Sequence, residues 1–327
     1  MFLENIILIF IAILIDFLIG DPQDFPHPIR LIGKLISRLE KIVRNKMKNM
    51  RLGGLFILLV SISIVISVIS SILYISLRIN IYFYYIIKTY IIFSGLAAKS
   101  LSDECKKVYM ILKNSNIKRA RRQLSYLVGR DTKELNREEI IRATVETAAE
   151  NTVDGVLAPL LFAFIGAIFG YPAEFIYFYK TTNTLDSMIG YNNEKYGDIG
   201  FFSAKFDDIL NLIPARVGAF IMAFSGAFLN LKVISSFRII IRDRKNHKSP
   251  NCAYPEAAVA GLLGVRLGGT NTYFGKTVYK PEIGDRDREL IEEDIILVCK
   301  LIYISEIIFF LFLNSLFLIF IKFKYNF

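Results

Sequence analysis

Three cysteines and two histidines in 327 residues leave little material for redox or metal chemistry. Cys105, Cys252 and Cys299 lie far apart and are odd in number, which excludes a disulfide scaffold and a Cys₄ zinc site. His27 and His247 alone do not make a His-rich metal centre. There is no G-x-x-x-x-G-K-[ST] run, and no G-x-G-x-x-G opening a helix after a strand. A P-loop or a Rossmann domain is therefore unsupported. Nor is there a plausible Ser-His-Asp set or Cys-His pair, which disfavours a covalent acyl-enzyme route. Charge is scarce as well, with 21% charged against 54% hydrophobic residues and a mean hydropathy of +0.44. Such a balance argues against a soluble protein. What polar chemistry there is must come from carboxylates, amides, Lys and Arg.

The apolar residues are clustered in runs at 6–19, 52–77, 81–98, 156–179, 209–231 and 301–321. The longer runs suffice for spans of about 20 residues. They predict an all-α integral membrane protein of five or six hydrophobic helices, forming a single membrane-embedded domain over 1–327. Segments 99–150 and 232–299 are the polar portions. The first run has no Lys or Arg before it and no A-x-A pattern after it, so an uncleaved helix is expected rather than a signal peptide. Lys and Arg outnumber acids seven to one in 34–51, twelve to six in 99–142, and six to one in 232–250. The positive-inside rule puts these segments in the cytoplasm and the N-terminus outside. The net charge of +10 then reads as loops facing anionic lipid, with no nucleic-acid partner.

Polar residues collect beside the hydrophobic runs, where an ionised side chain is costly and tends to be functional. The first cluster runs from Asp16 to Gly33 and contains His27, between two prolines, and Arg30. Gly20, Pro22, Pro26 and Pro28 end the first helix in an extended turn. The second holds Glu146, Glu150, Asn151 and Asp154. Spacings of four put the three acids on one helical stripe, where like charges cost about 0.2–0.5 kcal/mol per pair even when exposed. Neutralisation by Mg²⁺ or by an amine is expected there. Glu146 lies farthest from the asparagines and is expected to matter less than Glu150. The third cluster carries Asn183 and Asp186, and runs on to Lys205. In the fourth, Asp207 and Asp208 precede Asn211 by four and three residues, and Arg216 follows. These hard oxygen ligands suit Mg²⁺ bridging to phosphates, and Arg216 suits a phosphate oxygen. A fifth stretch, 249–275, is rich in glycine and includes Asn251 and Arg266. Residue chemistry alone thus points to an intramembrane, Mg²⁺-dependent enzyme for phosphorylated or nucleotide substrates. An intramembrane phosphotransferase or prenyltransferase, or an ion-coupled transporter, is the competing reading.

The runs DFLIGDPQDFPHPIRLIG (16–33), ETAAENTVDGVLAPL (146–160), NTLDSMIGY (183–191), SAKFDDILNLIPAR (203–216) and SPNCAYPEAAVAGLLGVRLGG (249–269) occur in that order. Together they resemble the adenosylcobinamide-phosphate synthase family of cobalamin biosynthesis, over about residues 12–290. Departures are confined to Val153, Ala253 and Val259, where the family usually has a small polar residue, glycine and methionine. The resemblance implies an ATP-dependent amide ligase that joins adenosylcobyric acid to (R)-1-amino-2-propanol or its O-phosphate. It implies ATP and Mg²⁺ as co-substrate and ion, with no tightly bound prosthetic group. Expected partners are the corrinoid, the amine, ATP, membrane lipid and other late cobalamin-pathway enzymes. The expected location is the cell membrane, multi-pass, with the active site facing the cytoplasm. Within that reading the catalytic candidates are Glu150, Asp154, Asp186, Asp207 and Asp208, with Asp186, Asp207 and Asp208 as Mg²⁺ ligands. His27, Arg30, Asn151, Asn183, Lys205, Asn211, Arg216, Asn251 and Arg266 are the substrate- or phosphate-binding candidates. ATP is cytoplasmic, so a plain crossing over 156–179 would strand Asn183 and Asp186 outside. The sequence therefore predicts that 156–179 enters and returns, or breaks near Gly170–Pro172, with Gly166, Gly170 and Pro172 supplying the break.

Overall fold

A computed structural model describes residues 2–20, 27–191, 193–273 and 275–325. The stretch 21–26 of the first polar cluster, with Pro22 and Pro26, lies outside the described residues. Among the described residues the regular structure of the chain is helical apart from one hairpin, and five helical stretches are long and apolar enough to cross a membrane. These are Met50–Ile79, Ile81–Lys113, Arg137–Phe169, Leu212–Leu229 and Glu293–Ile319. It is a multi-pass membrane protein. Its residues group into two compact units, 1–97 with 158–211, and 98–157 with 212–327.

In the first unit α1 (Phe2–Leu18) is followed by α2 (Pro28–Lys46), which starts on a proline whose missing N–H costs nothing at that position. His27 caps α2, its Nδ1 accepting from the Ile29 amide. Asn49 caps α3 (Met50–Ile79) in the same way. Asn80 alone separates α3 from α4 (Ile81–Phe93), ending one helix and accepting from the Tyr82 amide to start the next. The run expected over 81–98 thus ends as a helix at Phe93, before α5 (Ala98–Lys113) begins the second unit.

The second unit continues with α6 (Ile117–Leu124) and α7 (Arg137–Thr152). A reciprocal capping box between Asn136 and Glu139 starts α7. Beyond Thr152 a π turn over Val153–Leu157 leads into α8 (Ala158–Phe169) of the first unit. The run expected over 156–179 is not a single helix. It breaks at Gly170–Tyr171, and α9 (Pro172–Ile189) returns against α8. Gly170 takes φ +94°, a conformation that costs glycine little. Gly166 lets the strands of the turn approach, since a Cβ there would meet the Tyr171 carbonyl oxygen at 2.5 Å. At this turn Asn5 donates to the Ala167 carbonyl and buried Lys88 donates to Asn5 and Tyr84. Both ends of the α8–α9 pair, Ala158 and Ile189, therefore lie at the opposite end from the turn. α10 (Phe201–Leu210) then packs on α9 and α3. The 193–200 loop docks beside the basic 34–51 segment, where Arg44 donates to the Lys195 carbonyl at 3.0 Å.

The rest of the second unit is α11 (Leu212–Ser225), a 3₁₀ turn over Gly226–Leu229, α12 (Val233–Asp243) and α13 (Ala253–Leu263). An antiparallel hairpin of β1 (Leu267–Tyr273) and β2 (Lys276–Ile283) follows, with Gly269 opposite Lys280. α14 (Glu293–Tyr325) closes the chain and packs on α5, α7 and α11. The hairpin is where the glycine-rich stretch departs from an all-helical reading. Gly268 and Gly269 have φ +85° and +87°, which a helix does not accommodate.

Gly166→Val is expected to destabilise the α8–α9 turn by about 1–3 kcal/mol, because none of the three contacts at that Cβ position is a flexible side-chain end. Thermal unfolding in detergent measures it, and a wild-type midpoint would contradict the close approach.

Candidate functional site

In the first unit the third and fourth polar clusters meet. Tyr179, Asn183 and Asp186 are spaced by four and three along α9, which puts them on one face. α10 brings Asp207 to that face and ends at Asn211. Asp207 accepts from both amides: Asn183 Nδ2 to Oδ1 at 3.2 Å and Asn211 Nδ2 to Oδ2 at 2.9 Å. Tyr179 donates its hydroxyl to Asn211 Oδ1 at 2.9 Å. Tyr179, Asp207 and Asn211 are all buried. The result is a connected set, Tyr179–Asn211–Asp207–Asn183, in which each amide spends its donor on the carboxylate. Asp208 is the next residue on α10, about 100° around the helix. It faces Lys205 across 3.6 Å on a more exposed surface. Asp186 sits at the C-terminal end of α9, where a Cβ on Gly190 would meet its Oδ1 at 1.9 Å. Among the described residues no group of three or more His, Cys, Asp or Glu gathers in a way that holds a metal. Asp186, Asp207 and Asp208 thus do not converge as a three-carboxylate cage. His27 and Arg30 line a separate small cavity with Ser94 and Lys180.

In the second unit the acid stripe of α7 is divided among partners. Glu146 accepts from Arg130 at 2.6 Å and from the Gly268 amide at 2.7 Å. Both side chains of that pair are about 5% exposed or less. Arg130 also donates to Asn271 on β1. Glu146 therefore anchors the hairpin to α7, a heavier structural part than its distance from the asparagines suggests. Glu150 accepts a hydrogen bond from the Cys252 thiol at 2.8 Å. Burial, then Glu150 and Asp154, push that thiol up, so it stays protonated and able to donate. Asp154 falls in the π turn, which takes it off the regular spacing of four. Asn151 turns back to the Thr147 carbonyl. Arg216 donates to Asn251 Oδ1 at 3.2 Å and stacks over Tyr254 at 4.6 Å. Arg266 is engaged in an exposed pair with Glu282 across the hairpin.

Sequence reasoning missed a second buried pair beside this stripe. Lys280 of β2 donates to fully buried Glu256 of α13 at 2.8 Å. Burial pushes the Glu256 carboxyl up to about 8, with Glu146 and Glu150 adding to it and Lys280 opposing. Burial also works against the charge on Lys280, but Glu256, Glu146 and Glu150 outweigh it and hold Lys280 above its ordinary value. His247 is pushed down to about 4 by burial and then by Lys280, and its Nδ1 accepts from the Ser249 amide. The one available signal was Glu256 itself. A carboxylate within the small-residue run after Pro255 must find a cation when that helix is buried. Nothing local in sequence marks Arg130, Tyr179 or Lys280 as partners.

The chain matches the protein family described as "CobD/Cbib protein" over residues 9–302. It is 50% identical to "Cobalamin biosynthesis protein CobD" of Clostridium tetani over 302 residues, covering 91% of this chain and 93% of the relative. It is 44% identical to the Listeria monocytogenes serotype 4b protein of that name, covering 94% and 97%. It is also 42% identical to "Cobalamin biosynthesis protein CbiB" of Salmonella typhimurium, covering 90% and 92%. No solved structure matches it.

Two stability predictions follow from the second unit. Glu146→Ala is expected to lose about 3–5 kcal/mol, because it leaves Arg130 buried without its counter-charge. Chemical unfolding in detergent measures the loss, and a change below about 1 kcal/mol would contradict the anchor. The pH profile of stability has two limbs. Glu256 holds its proton to about pH 8 folded but only to its ordinary 4.5 unfolded, so its contribution is present below 4.5 and fades as pH rises through 8. His247 is depressed from 6.5 to about 4, so its contribution is present above 6.5 and is lost as pH falls through 4. Glu256→Gln should flatten the alkaline limb and His247→Gln the acid limb in thermal unfolding curves. An unchanged alkaline limb in Glu256→Gln would refute the assignment.

Proposed function

The chain belongs to the CobD/CbiB protein family, and from that premise we propose that it is a membrane amide ligase of cobalamin biosynthesis. In this reading it joins the free propionate carboxylate of adenosylcobyric acid to (R)-1-amino-2-propanol or its O-phosphate, with ATP as co-substrate. A carboxylate does not react with an amine at neutral pH, because its oxygen is a poor leaving group. A carboxylate oxygen therefore takes the γ-phosphoryl group of ATP, releasing ADP and leaving an acyl phosphate. The amine then attacks the acyl carbon, phosphate departs, and a protein carboxylate takes the amine proton.

The observation that carries this reading is the Asp207 carboxylate, braced by Asn183 and Asn211, with Tyr179 holding Asn211. A charge set in place before substrate arrives needs no reorganisation during reaction. The fit to Mg²⁺ rests on donor chemistry. Mg²⁺ keeps several waters and phosphate oxygens and needs only one or two carboxylates from protein. Asp207 with Asp186 or Asp208 meets that demand without a three-acid cage. When bound, the ion neutralises phosphate charge. The chain's own residues do the rest: Asn183 and Asn211 fix the Asp207 oxygens, and Lys205 beside Asp208 supplies positive charge for phosphate. In the second unit, taken by itself, Glu150 is a carboxylate able to accept a proton, aimed by the Cys252 thiol on its Oε1. Arg216, held by Asn251 and Tyr254, is a cation suited to a carboxylate or phosphate.

The site faces the cytoplasm in this reading. Support comes from the Arg44–Lys195 contact, which keeps the 193–200 loop beside the basic 34–51 segment. An Asn193→Cys variant, made with Cys105, Cys252 and Cys299 replaced by Ser, tests it. An impermeant maleimide should label inverted vesicles and leave intact cells unlabelled; labelling of intact cells would refute the orientation.

Purified protein with adenosylcobyric acid, ATP, Mg²⁺ and each amine, read by mass spectrometry, tests the reaction. The expected product carries the new amide, and unmodified corrinoid with full recovery would overturn the ligase. Asp207→Asn keeps the shape and removes the charge, and should lower turnover by about a hundredfold or more while the protein stays folded. Turnover near wild type would remove Asp207 from the mechanism.

A further inference from the structure

In the first unit α2 carries a basic face that the proposed chemistry does not use. One side of this helix is buried through Ile32, Ile36, Leu39 and Val43. At about 100° per residue, Lys34, Arg38 and Lys41 fall on the opposite side, and all three are exposed. Leu31 and Ile42 lie along the flank between the two sides, 58% and 47% exposed. Glu40, the one acid of α2, is taken by Arg44. Among the described residues no acid pairs with Lys34, Arg38 or Lys41. The basic helix α12 differs, because Asp285 takes up both Arg238 and Arg242, and Asp243 also holds Arg242.

The placement of α2 identifies what meets this face. Near its start Gly33 packs on the last turn of α9, where a Cβ on Gly33 would lie 3.5 Å from the Met188 Sδ. About 15 Å further along α2, Val43 packs on Gly53 in the first turn of α3. Those two turns stand at one level: Gly54 of α3 approaches the Ile199 carbonyl, and the next residue, Gly200, approaches the Ile189 carbonyl of α9. α2 thus lies across the end of α3, a helix long and apolar enough to span a membrane. Just beyond Val43 that span exposes Leu52 and Phe56. Cations beside an exposed apolar flank at the end of a span match phosphate and hydrocarbon together. An acidic protein would match the cations but not Leu31 and Ile42.

We propose that α2 is an interfacial helix that gathers anionic phospholipids. Leu31 and Ile42 enter the acyl-chain boundary, and Lys34, Arg38 and Lys41 meet the phosphates. Long basic side chains bury their stems there and keep their charge at the headgroups. An anionic leaflet attracts each such cation near its surface. This surface is independent of the ligase reading, since it draws on none of the residues assigned to the reaction.

The chain has no tryptophan, so Ile42→Trp places a single reporter on the flank. The full chain is reconstituted in vesicles of equal phosphatidylglycerol and phosphatidylcholine, with one lipid or the other brominated. Brominated phosphatidylglycerol should quench the tryptophan as though enriched about fivefold, the equivalent of one cation per lipid. Adding Lys34→Gln, Arg38→Gln and Lys41→Gln should bring the two lipids level while brominated phosphatidylcholine still quenches. Molar salt, which cuts the screening length to about 3 Å, should lower the enrichment with the cations unaltered. Equal quenching by the two lipids before those three changes overturns the proposal. So does enrichment that survives either the triple substitution or molar salt. Emission at the water-exposed maximum, unquenched by either lipid, overturns it in favour of a soluble acidic partner.

Discussion

A charged side chain inside an apolar helical bundle survives only if the fold delivers its partner, and the second unit is organised around that demand. Glu146 sits on α7 with almost no contact with solvent, and it is held by Arg130 and by the Gly268 amide. Arg130 reaches on to Asn271, so one carboxylate joins α7, the connection before it and the β-hairpin. Glu256 and Lys280 repeat the arrangement one step away, between α13 and β2. Taking a charge out of water costs several kcal/mol, so each of these pairs specifies which elements must lie together. The hairpin is thereby fixed to two helices, by the Glu146–Arg130 pair at α7 and by the Lys280–Glu256 hydrogen bond at α13. Glu150 stands in the same stripe and receives the Cys252 thiol on Oε1.

In the first unit amides hold a buried carboxylate. Asp207 has Asn183 and Asn211 on its two oxygens, and Asn211 is itself held by Tyr179. Amide donors fix the carboxylate oxygens in place. Glu146, by comparison, is held by a guanidinium. An immobile carboxylate suits a metal–phosphate ligand, and one paired to a buried guanidinium suits a structural anchor. The two acids resemble each other in sequence setting, and their partners separate their roles.

The α8–α9 turn explains how residues 30 apart in sequence come to one end of the first unit. Ala158 and Ile189 begin and end a helical pair whose turn is set by Gly166, Gly170 and Pro172. Without that turn Asn183 and Asp186 would be carried away from the Ala158 end of α8. Irregular backbone at Gly170 is bearable because Lys88 and Asn5 cover the carbonyls around it.

Several properties of this protein were settled in the sequence itself. Uncharged runs and sparse charge specify membrane helices, because hydrocarbon accepts little else. The glycines and proline at 166–172 mark the break, since backbone conformation there depends on residue type alone. The five ordered motifs mark the family and carry the acids and asparagines proposed for its chemistry. Tertiary structure decided how those residues divide their work. Asp207 and Asp208 are adjacent and chemically identical, yet a rotation of about 100° around α10 gives one the asparagines and the other a surface lysine. Glu146 and Glu150 are one turn apart, yet one meets Arg130 and the other Cys252. Lys280 finds Glu256 only because β2 folds back past α13, a pairing 24 residues long-range that no local pattern encodes. Partner identity is set by three-dimensional proximity, and in this chain it divides carboxylates of similar sequence setting among a guanidinium, two amides and a thiol.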